Sequence, residues 1–587
     1  MEDDDYKSPH HILEHGFPLD ISSHAVPRYL AGVRRTLASL PDTESLHALK
    51  LLTARVIAKE HHDPQAAVAI NQQIQELADR LGGDLAQGYA LLSWASTHPT
   101  PEHTADRIQA ARQILEIAQQ ADEADLLRAA LTILLIGLLE AGDLRSIDIH
   151  LLEEASEGSD QSAGASPAQW FHCLRSILDG DTQLAERQAR ELVPTQATTQ
   201  AEHHHLMMTE SLAVYFIQMG MIRWTQGRFD HVEEVLLRAR RAYPEQLLWP
   251  TSLAWLWLLQ GRTSAGSSLL RSLPEPEEVP RDRYWLCTLT VMAEIAVIQG
   301  PRDRAERLQR ILLPFADRLV PVGAGIAFWG TGARTLGLLE ERLGMLDLAK
   351  QHLHLAVEKS AQIGALPWLT EAQIELAKFA LRHELTDIPA YDLLAEARTT
   401  SLARGFAQLS IRALAQPRIR VLGQFDVVSV CGVHAEWTSR KARELLKMLV
   451  AARGVPTSRE VFMEVLWPGV APSRLGNRFS VAVNVIRRSL DPERILPTQH
   501  FLITEGESAR LELKNLDIDL ERFLTLAKRA DADSHQAAYK LYRGAAFAEE
   551  PYADWAVTIR DHAQLICAKL QTDELPGPEV DAVLGSS

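Results

Sequence analysis

Apolar residues recur at helical spacing over most of this chain, from about Val26 to Ala415, and strand-like alternation is rare there. A spacing of three to four residues places side chains on one face of an α-helix. The region is also rich in Ala, Leu, Arg, Glu and Gln, most of which favour helices. The pattern therefore predicts a long series of amphipathic helices.

A glycine followed by a short polar turn returns in this region at intervals of 38, 47, 34, 39 and 44 residues. These glycines are Gly142, Gly180, Gly227, Gly261, Gly300 and Gly344. Glycine accepts the left-handed backbone that ends a helix. The small residues that follow, which let paired helices approach, are Ala185, Ala265, Ala305 and Ala349. Because one helix pair cannot bury its apolar face alone, the period predicts a long α-solenoid of stacked, tetratricopeptide-like pairs over residues 26–415.

The pattern changes at Gln416-Pro417. The segment RIRVLGQFDVVSV alternates with period two and predicts short strands. Thr438 or Ser439 then offers a cap for the helix RKARELLKMLVAA, and Ser458 opens a second helix, REVFMEVLW. A third helix is predicted from about Ser473 to Leu490, and the segments FLITE and ARLEL predict a hairpin. Strands, three helices and a hairpin over residues 416–515 outline a winged helix-turn-helix of the OmpR/PhoB type.

The third helix has two distinct faces at about 100° per residue. Its predicted buried stripe consists of Leu475, Phe479, Val483, Ile486 and Leu490. The opposite face carries the predicted base-reading residues Asn477, Val481, Asn484 and Arg488. Asparagine suits adenine, arginine suits guanine and valine suits a thymine methyl, so these types fit a major groove. Cations expected to contact phosphates or flank this face are Arg440, Lys441, Arg443, Arg459, Arg474, Arg478, Arg487 and Arg510.

Charge is unevenly distributed along the chain. Between Pro417 and Asn515 there are 15 lysine and arginine residues against 10 aspartate and glutamate residues, a local net charge of +5. Since the whole chain carries −17, the remainder carries −22. A basic module in an acidic protein favours local binding of nucleic acid.

Other features of the chain argue against catalysis. The four cysteines are scattered, without a spacing typical of zinc sites, and the run His203–His205 is interpreted as a polar stretch rather than a metal site. The segment from Gly261 to Ser268 has the two-glycine spacing of a P-loop but lacks its lysine. We expect no enzyme activity, cofactor or metal. No signal peptide or membrane helix is predicted, so we expect a cytoplasmic protein.

Nine of the twelve tryptophans lie between Trp94 and Trp368. The densest group is Trp249, Trp255, Trp257 and Trp285. Packing between helix pairs is the favoured interpretation, and the alternative is an aromatic ligand pocket on the repeat domain.

Several blocks in the last third resemble a known family. The segments SRKARELLKMLVAARGVPTSREVFMEVLWPG, GNRFSVAVNVIRRSLDPER and LYRGAAFAEEPYADWAVTIR are similar to SARP-type bacterial transcriptional activators. That resemblance implies an OmpR-like winged helix followed by a helical BTAD activation domain, with promoter DNA and RNA polymerase as partners. It also implies that the third helix is the recognition helix and that the loop Trp467–Gly476 contacts polymerase. The segment GMLDLAKQHLHLAVEKSAQIGALPWLTEAQIELAKFAL, starting at Gly344, resembles the repeats of MalT-like regulators.

The sequence departs from that family in three places. Val485 stands where the family often has a basic residue, which removes a contact. The hairpin tip is acidic, with Glu505 and Glu507, and the BTAD-like part is short, at residues 516–572. The predicted organisation is completed by a flexible tail at 1–25 and a disordered tail at 573–587.

We therefore expect a sequence-specific transcription regulator, as an activator, whose repeats sense a protein or small-molecule signal or form a dimer. The first alternative is a scaffold or adaptor whose winged helix binds protein. The second is an ATP-driven switch, which the missing P-loop disfavours.

Overall fold

The computed structural model of this protein describes residues 26–60, 64–157, 167–192, 210–323, 325–383, 385, 387–529 and 531–572. It divides into two compact units. The first comprises Met1–Ile388 with Thr399–Ser410, and the second comprises Pro389–Arg398 with Ile411–Ser587. The tails predicted at 1–25 and 573–587 and the run His203–His205 lie outside the described residues.

The first unit is built almost entirely from helices, and the prediction of a mainly helical chain is confirmed. Most consecutive helices pack against each other. The helices that begin in this unit are α1 Val26–Ser39, α2 Leu46–Glu60, α3 Pro64–Leu81, α4 Asp84–Thr97, α5 Thr104–Ala121, α6 Ala124–Ala141, α7 Ile149–Glu157, α8 Pro167–Leu178, α9 Thr182–Glu191, α10 Glu210–Thr225, α11 Phe229–Ala242, α12 Leu248–Leu259, α13 Thr263–Leu270, α14 Trp285–Ile298, α15 Arg302–Leu312, α16 Gly332–Leu343, α17 Leu346–Gln362, α18 Leu366–Arg382 and α20 Ala407–Arg412. Helix α19, Ala390–Arg404, begins in the second unit and ends in the first.

The turn glycines close their helices through a left-handed backbone. All six have positive φ, from 74° at Gly180 to 125° at Gly300. At Gly142 the cap is complete, since its N–H donates to the Leu139 carbonyl at 3.1 Å and the Asp143 N–H to the Leu138 carbonyl at 2.8 Å. This paired bonding satisfies carbonyls that a helix end leaves open.

Small residues behind the turns allow close packing of the helices. Ala185, Ala305 and Ala349 are fully buried. At the fourth turn the tight position belongs to Gly266 rather than to the predicted Ala265, because a Cβ at Gly266 would lie 2.7 Å from the Leu258 side chain. The pattern identified the turn and missed the contact by one residue.

A β-hairpin interrupts the helical array, which the pattern of the sequence did not predict. Strands β1, Leu319–Val322, and β2, Ala327–Thr331, pair antiparallel and are almost wholly buried. The hairpin packs against α6, α10, α14, α16 and α17. Gln218 of α10 donates to the Ile326 carbonyl at 3.1 Å. Because both faces of these strands are covered, they lack the alternating pattern of a half-exposed strand.

The second unit combines short strands with helices, and six of the described helices begin after its strand β4. Its strands are β3 Arg418–Arg420, β4 Asp426–Val428, β5 Thr457–Ser458, β6 Leu502–Glu505, β7 Ser508–Leu511 and β8 Asp517–Ile518. The helices are α21 Arg440–Ala451, α22 Arg459–Leu466, α23 Pro472–Leu490, α24 Asp519–Ala527, α25 Ala532–Leu541 and α26 Asp554–Thr572. They surround two small sheets, with strand orders β4-β3-β8 and β5-β7-β6. The predicted strands, three helices and hairpin thus occur in the predicted order.

One hydrophobic core joins the three-helix part to the residues that follow it. This core includes Ile419 of β3, Leu446 of α21, Ile486 of α23, Phe523 of α24 and Phe547. Strand β8 also pairs parallel with β3, placing Ile518 opposite Ile419. Residues 516–572 therefore fold together with 416–515 rather than as a separate body.

Candidate nucleic-acid interface

Two serines begin the helices that support the candidate interface. The Ser439 hydroxyl accepts a hydrogen bond from the Ala442 N–H at 3.2 Å, at the start of α21. The Ser458 hydroxyl accepts one from the Glu460 N–H at 3.3 Å, at the start of α22. Each bond satisfies an N–H group that a helix end leaves without a partner. Ser439, rather than Thr438, is the cap of α21.

Helix α23 buries the stripe that its periodicity predicts. Phe479, Val483, Ile486 and Leu490 are buried, whereas Leu475, in the first turn, is half-buried. The helix begins with Pro472 at its first position and has no side-chain cap. Proline fits there because the first N–H of a helix has no partner within the helix.

The opposite face of α23 is open. Asn477, Val481, Asn484 and Arg488 are all exposed, and Val481 is 55% exposed. Among the described residues, the side chains of Asn477, Asn484 and Arg488 have no hydrogen-bond or ion-pair partner. The structure therefore brings the four predicted base-reading residues together on one surface, with their polar groups available.

The predicted phosphate-contacting cations divide into free and paired groups. Arg440, Arg474 and Arg478 are exposed, and no carboxylate in the described part of the chain pairs with them. Three more bind nearby acids: Lys441 Nζ lies 3.0 Å from Glu444, Arg443 Nη2 2.7 Å from Glu549 and Arg510 Nη1 3.2 Å from Glu512. A cation that is already paired with a carboxylate contributes less free energy to phosphate binding, because the existing ion pair must first be broken or shared.

Arg487 and Arg459 hold the local structure instead of lying open. Arg487 Nη2 donates to the Leu502 carbonyl at 2.9 Å and to Thr504 Oγ1 at 3.2 Å, which ties α23 to strand β6. Burial lowers the pKa of the Arg487 guanidinium. The Arg459 guanidinium lies over the Phe479 ring, 5.9 Å from its centre. These two residues position α23 and its hairpin.

Lys447 is a contact that the sequence pattern did not reveal. Its side chain is 1% exposed, and Nζ lies 2.6 Å from Glu549 and 3.1 Å from Glu550. Nζ also lies 4.8 Å from the centre of the Phe425 ring. Burial raises the pKa of Glu549, but the bonds from Lys447 and Arg443 outweigh it, and the pKa lies below its usual value. The one available signal was a lysine inside the apolar run LLKMLV.

Two loops of the second unit carry features that the sequence indicated. The first, from Trp467 to Ala471, joins α22 to α23, and the rest of the segment predicted to contact polymerase, through Gly476, lies in α23. The second is the tip of the β6–β7 hairpin, where Gly506 has φ +54° between the exposed Glu505 and Glu507. The acidic tip that the sequence indicated is therefore fully open to solvent.

The four tryptophans proposed as an aromatic pocket lie in or against the core of the first unit. Trp249, Trp255 and Trp285 are buried and Trp257 is half-buried. Trp249 and Trp255 border a cavity of about 60 Å³, which Trp257 and Trp285 do not line. Trp257 Nε1 instead donates to Glu233 at 2.8 Å, and the Trp285 ring packs edge-on against Phe315. Two of the four thus border this cavity, and an aromatic ligand site formed by the group stays a prediction.

The segment with P-loop spacing follows a helix rather than a strand. Gly261 lies in the turn after α12, and Thr263 begins α13. Among the described residues, no group of three or more histidine, cysteine, aspartate or glutamate side chains is placed to bind a metal ion. None of the described helices is long and apolar enough to cross a bilayer.

Comparison with known proteins adds little to this geometry. No protein-family model matches the chain, and no curated protein is significantly similar to it. The solved structures that match include the crystal structure of the APC/C hetero-tetramer Cut9-Hcn1, with 10% identity, 98% of this chain and 97% of that chain covered, and a TM-score of 0.29. A score this low carries no argument, so the fold rests on the elements described above.

Proposed function

We propose that the second unit is a winged helix-turn-helix that binds double-stranded promoter DNA, with α23 as recognition helix, and that the chain is a transcription regulator. The observation that carries this proposal is the open face of α23. Asn477, Asn484 and Arg488 present hydrogen-bonding groups that have no partner among the described residues, while the other face of the helix is fixed in the core. An α-helix fits the major groove, where these side chains distinguish base pairs.

The remaining cations supply the contacts that hold DNA without reading it. Arg474 and Arg478 flank the open face, and Arg440 stands at the exposed start of α21. Phosphate contacts of this kind fix the register of a protein on the duplex. The acidic hairpin tip disfavours a wing that enters the minor groove, so we assign base recognition to α23 alone.

The helical repeats suit protein interaction, because stacked helix pairs present extended surfaces. In the proposed regulator, this unit receives the signal or partner, and RNA polymerase is the partner of the DNA-bound form. The rival function is an adaptor whose second unit binds protein in place of DNA.

Selection of bound fragments from genomic DNA by the full chain tests the proposal. We expect a recurring sequence motif, which then serves as the probe for gel-shift titrations of variants. Asn484→Ala with Arg488→Ala removes two base-reading groups and should weaken binding to the motif by about 30- to 20,000-fold, as each good bidentate base contact contributes about 1–3 kcal/mol. Binding to unrelated DNA should change far less.

The control is Arg529→Ala, which removes one exposed cation outside α23. It should leave recognition of the motif unchanged. Arg478→Ala should weaken binding to the motif and to unrelated DNA by a similar factor, and it should reduce the slope of log affinity against log salt concentration by about 1. If the full chain recovers no motif even at low salt, or if the double variant binds the motif as the unchanged protein does, the adaptor function replaces this proposal.

A further inference from the structure

The cavity of about 60 Å³ in the first unit lies between helices α10, α11, α12 and α14 and the β1–β2 hairpin. The four tryptophans that line it are Trp224, Trp249, Trp255 and Trp329. Apart from Ser252 and Cys287, every lining residue is apolar or aromatic. A buried water needs two to four polar partners, which such walls supply poorly. The cavity therefore suits an occupant with an apolar body.

Ser252 of α12 is a polar group in this lining that the fold leaves unsatisfied. The residue is 4% exposed, and its hydroxyl has no hydrogen-bond partner among the described residues. A helical hydroxyl can bond the carbonyl four residues back, as Thr251 does with Leu247 at 2.6 Å, but Ser252 makes no such bond. Its oxygen also keeps accessible surface, unlike the partnerless Thr335 hydroxyl, which protein atoms enclose. Because an unsatisfied buried hydroxyl costs free energy, Ser252 retains the capacity to bond an oxygen in the cavity.

The volume of the cavity limits the size of an occupant. A cavity of about 150 Å³ accepts benzene, so one of about 60 Å³ has room for about three heavy atoms. One oxygen that bonds Ser252 leaves about two carbons to contact the indole rings. The occupant is also neutral, because an unpaired charge is far too costly among apolar walls.

We propose that this cavity binds a neutral oxygen compound of about two carbons, an alcohol, ether or aldehyde, whose oxygen pairs with the Ser252 hydroxyl. Its carbon atoms contact the indole rings of Trp249 and Trp255. Such an occupant contacts four helices and both strands of the hairpin at once, so it links segments that lie far apart in the chain. The first unit then contains a site for a small signal molecule, whether or not the second unit binds DNA.

Titration of the full chain with dimethyl ether, and with propane as the hydrocarbon of the same shape, tests the proposal. Labelling the indole nitrogens with ¹⁵N gives each tryptophan its own NMR signal, which single Trp→Phe variants assign. We expect the signals of Trp249 and Trp255 to shift saturably with dimethyl ether, with half-saturation at about 1 mM or above, because so few heavy atoms limit the affinity. Trp257 and Trp285 do not line the cavity, and their signals should not shift.

Ser252→Ala tests the role of the hydroxyl. Loss of one hydrogen bond should weaken binding of dimethyl ether by about two- to tenfold and leave propane binding no weaker. The matched control is Ser268→Ala, which removes an exposed hydroxyl from the neighbouring helix α13 and should change neither affinity.

Three results would overturn the proposal. The first is no saturable shift of the Trp249 and Trp255 signals with dimethyl ether. The second is a shift of the Trp257 and Trp285 signals with the same concentration dependence. The third is a Ser252→Ala variant in which the ratio of the dissociation constants for dimethyl ether and propane is unchanged.

Discussion

The contact of Lys447 with Glu549 and Glu550 gives a sharp test of how residues 516–572 are attached to the helices before them. We consider Lys447→Met, which keeps the apolar stem and removes the charge. The change leaves two carboxylates without their shared cation and removes the cation from above the Phe425 ring.

The size of the effect follows from burial. Breaking a fully buried ion pair costs about 3–5 kcal/mol, and here Lys447 is buried while the side chains of Glu549 and Glu550 are 32% and 24% exposed. Because water reaches both carboxylates, we place the loss lower, at about 2–3 kcal/mol. That loss corresponds to opening of this unit about 30- to 150-fold more often.

Hydrogen exchange of the full chain, read by mass spectrometry, measures the effect in peptides from 440–451 and 545–556. Lys441→Met is the control on the same helix, because Lys441 is 43% exposed and its one ion pair among the described residues is with Glu444, three residues on. It should cost about 0.5 kcal/mol or less. If Lys447→Met accelerates exchange by less than about threefold, the contact does not join the two segments and our reasoning is wrong.

Two further predictions concern a helix turn and a buried carboxyl. Gly180→Ala should destabilise the first unit much more than the control Gly344→Ala, because both glycines have positive φ but only a Cβ at Gly180 would meet a ring, at 2.6 Å from Phe406. Gly344→Ala should cost only the strain of a left-handed alanine, about 1 kcal/mol. Equal shifts of the thermal unfolding temperature in the two variants would contradict this prediction. Burial raises the pKa of the Asp519 carboxyl to about 6, against the opposing effect of N–H groups from Val421 and Leu422. The folded state then holds a proton that the unfolded state releases near pH 4, so the second unit should lose up to about 3 kcal/mol as pH rises from 4 through 6. Hydrogen exchange, corrected for its intrinsic pH dependence, should show this decline in the unchanged protein and no such decline in Asp519→Asn. The variant should exchange faster at every pH, because an asparagine amide has an NH2 group in place of one of the two carboxyl oxygens that accept from Val421 and Leu422.

Much of the local structure could be predicted because its causes are local. Gly142 and its counterparts end helices through their own backbone freedom, and Ser439 and Ser458 begin helices through bonds that reach only two or three residues. The open face of α23 followed from the helical period, since Phe479 and Asn477 are separated by the geometry of the helix itself.

The buried hairpin, the cavity and the partners of the cations could not be predicted in this way. Strands β1 and β2 carry no alternation, because helices cover both of their faces. Arg107 and Glu140, 33 residues apart, meet only where α5 packs on α6.

The sequence by itself determined where helices begin and end and which face of α23 is polar, because these depend on residues within a few positions of one another. Tertiary structure alone decided which cations stay open. In the part of the chain that the structure describes, no carboxylate pairs with Arg474 or Arg478, whereas Arg443 is held by Glu549, 106 residues later in the chain. The physical reason is that charge pairing depends on distance in space, which the order of residues does not give until the chain has folded.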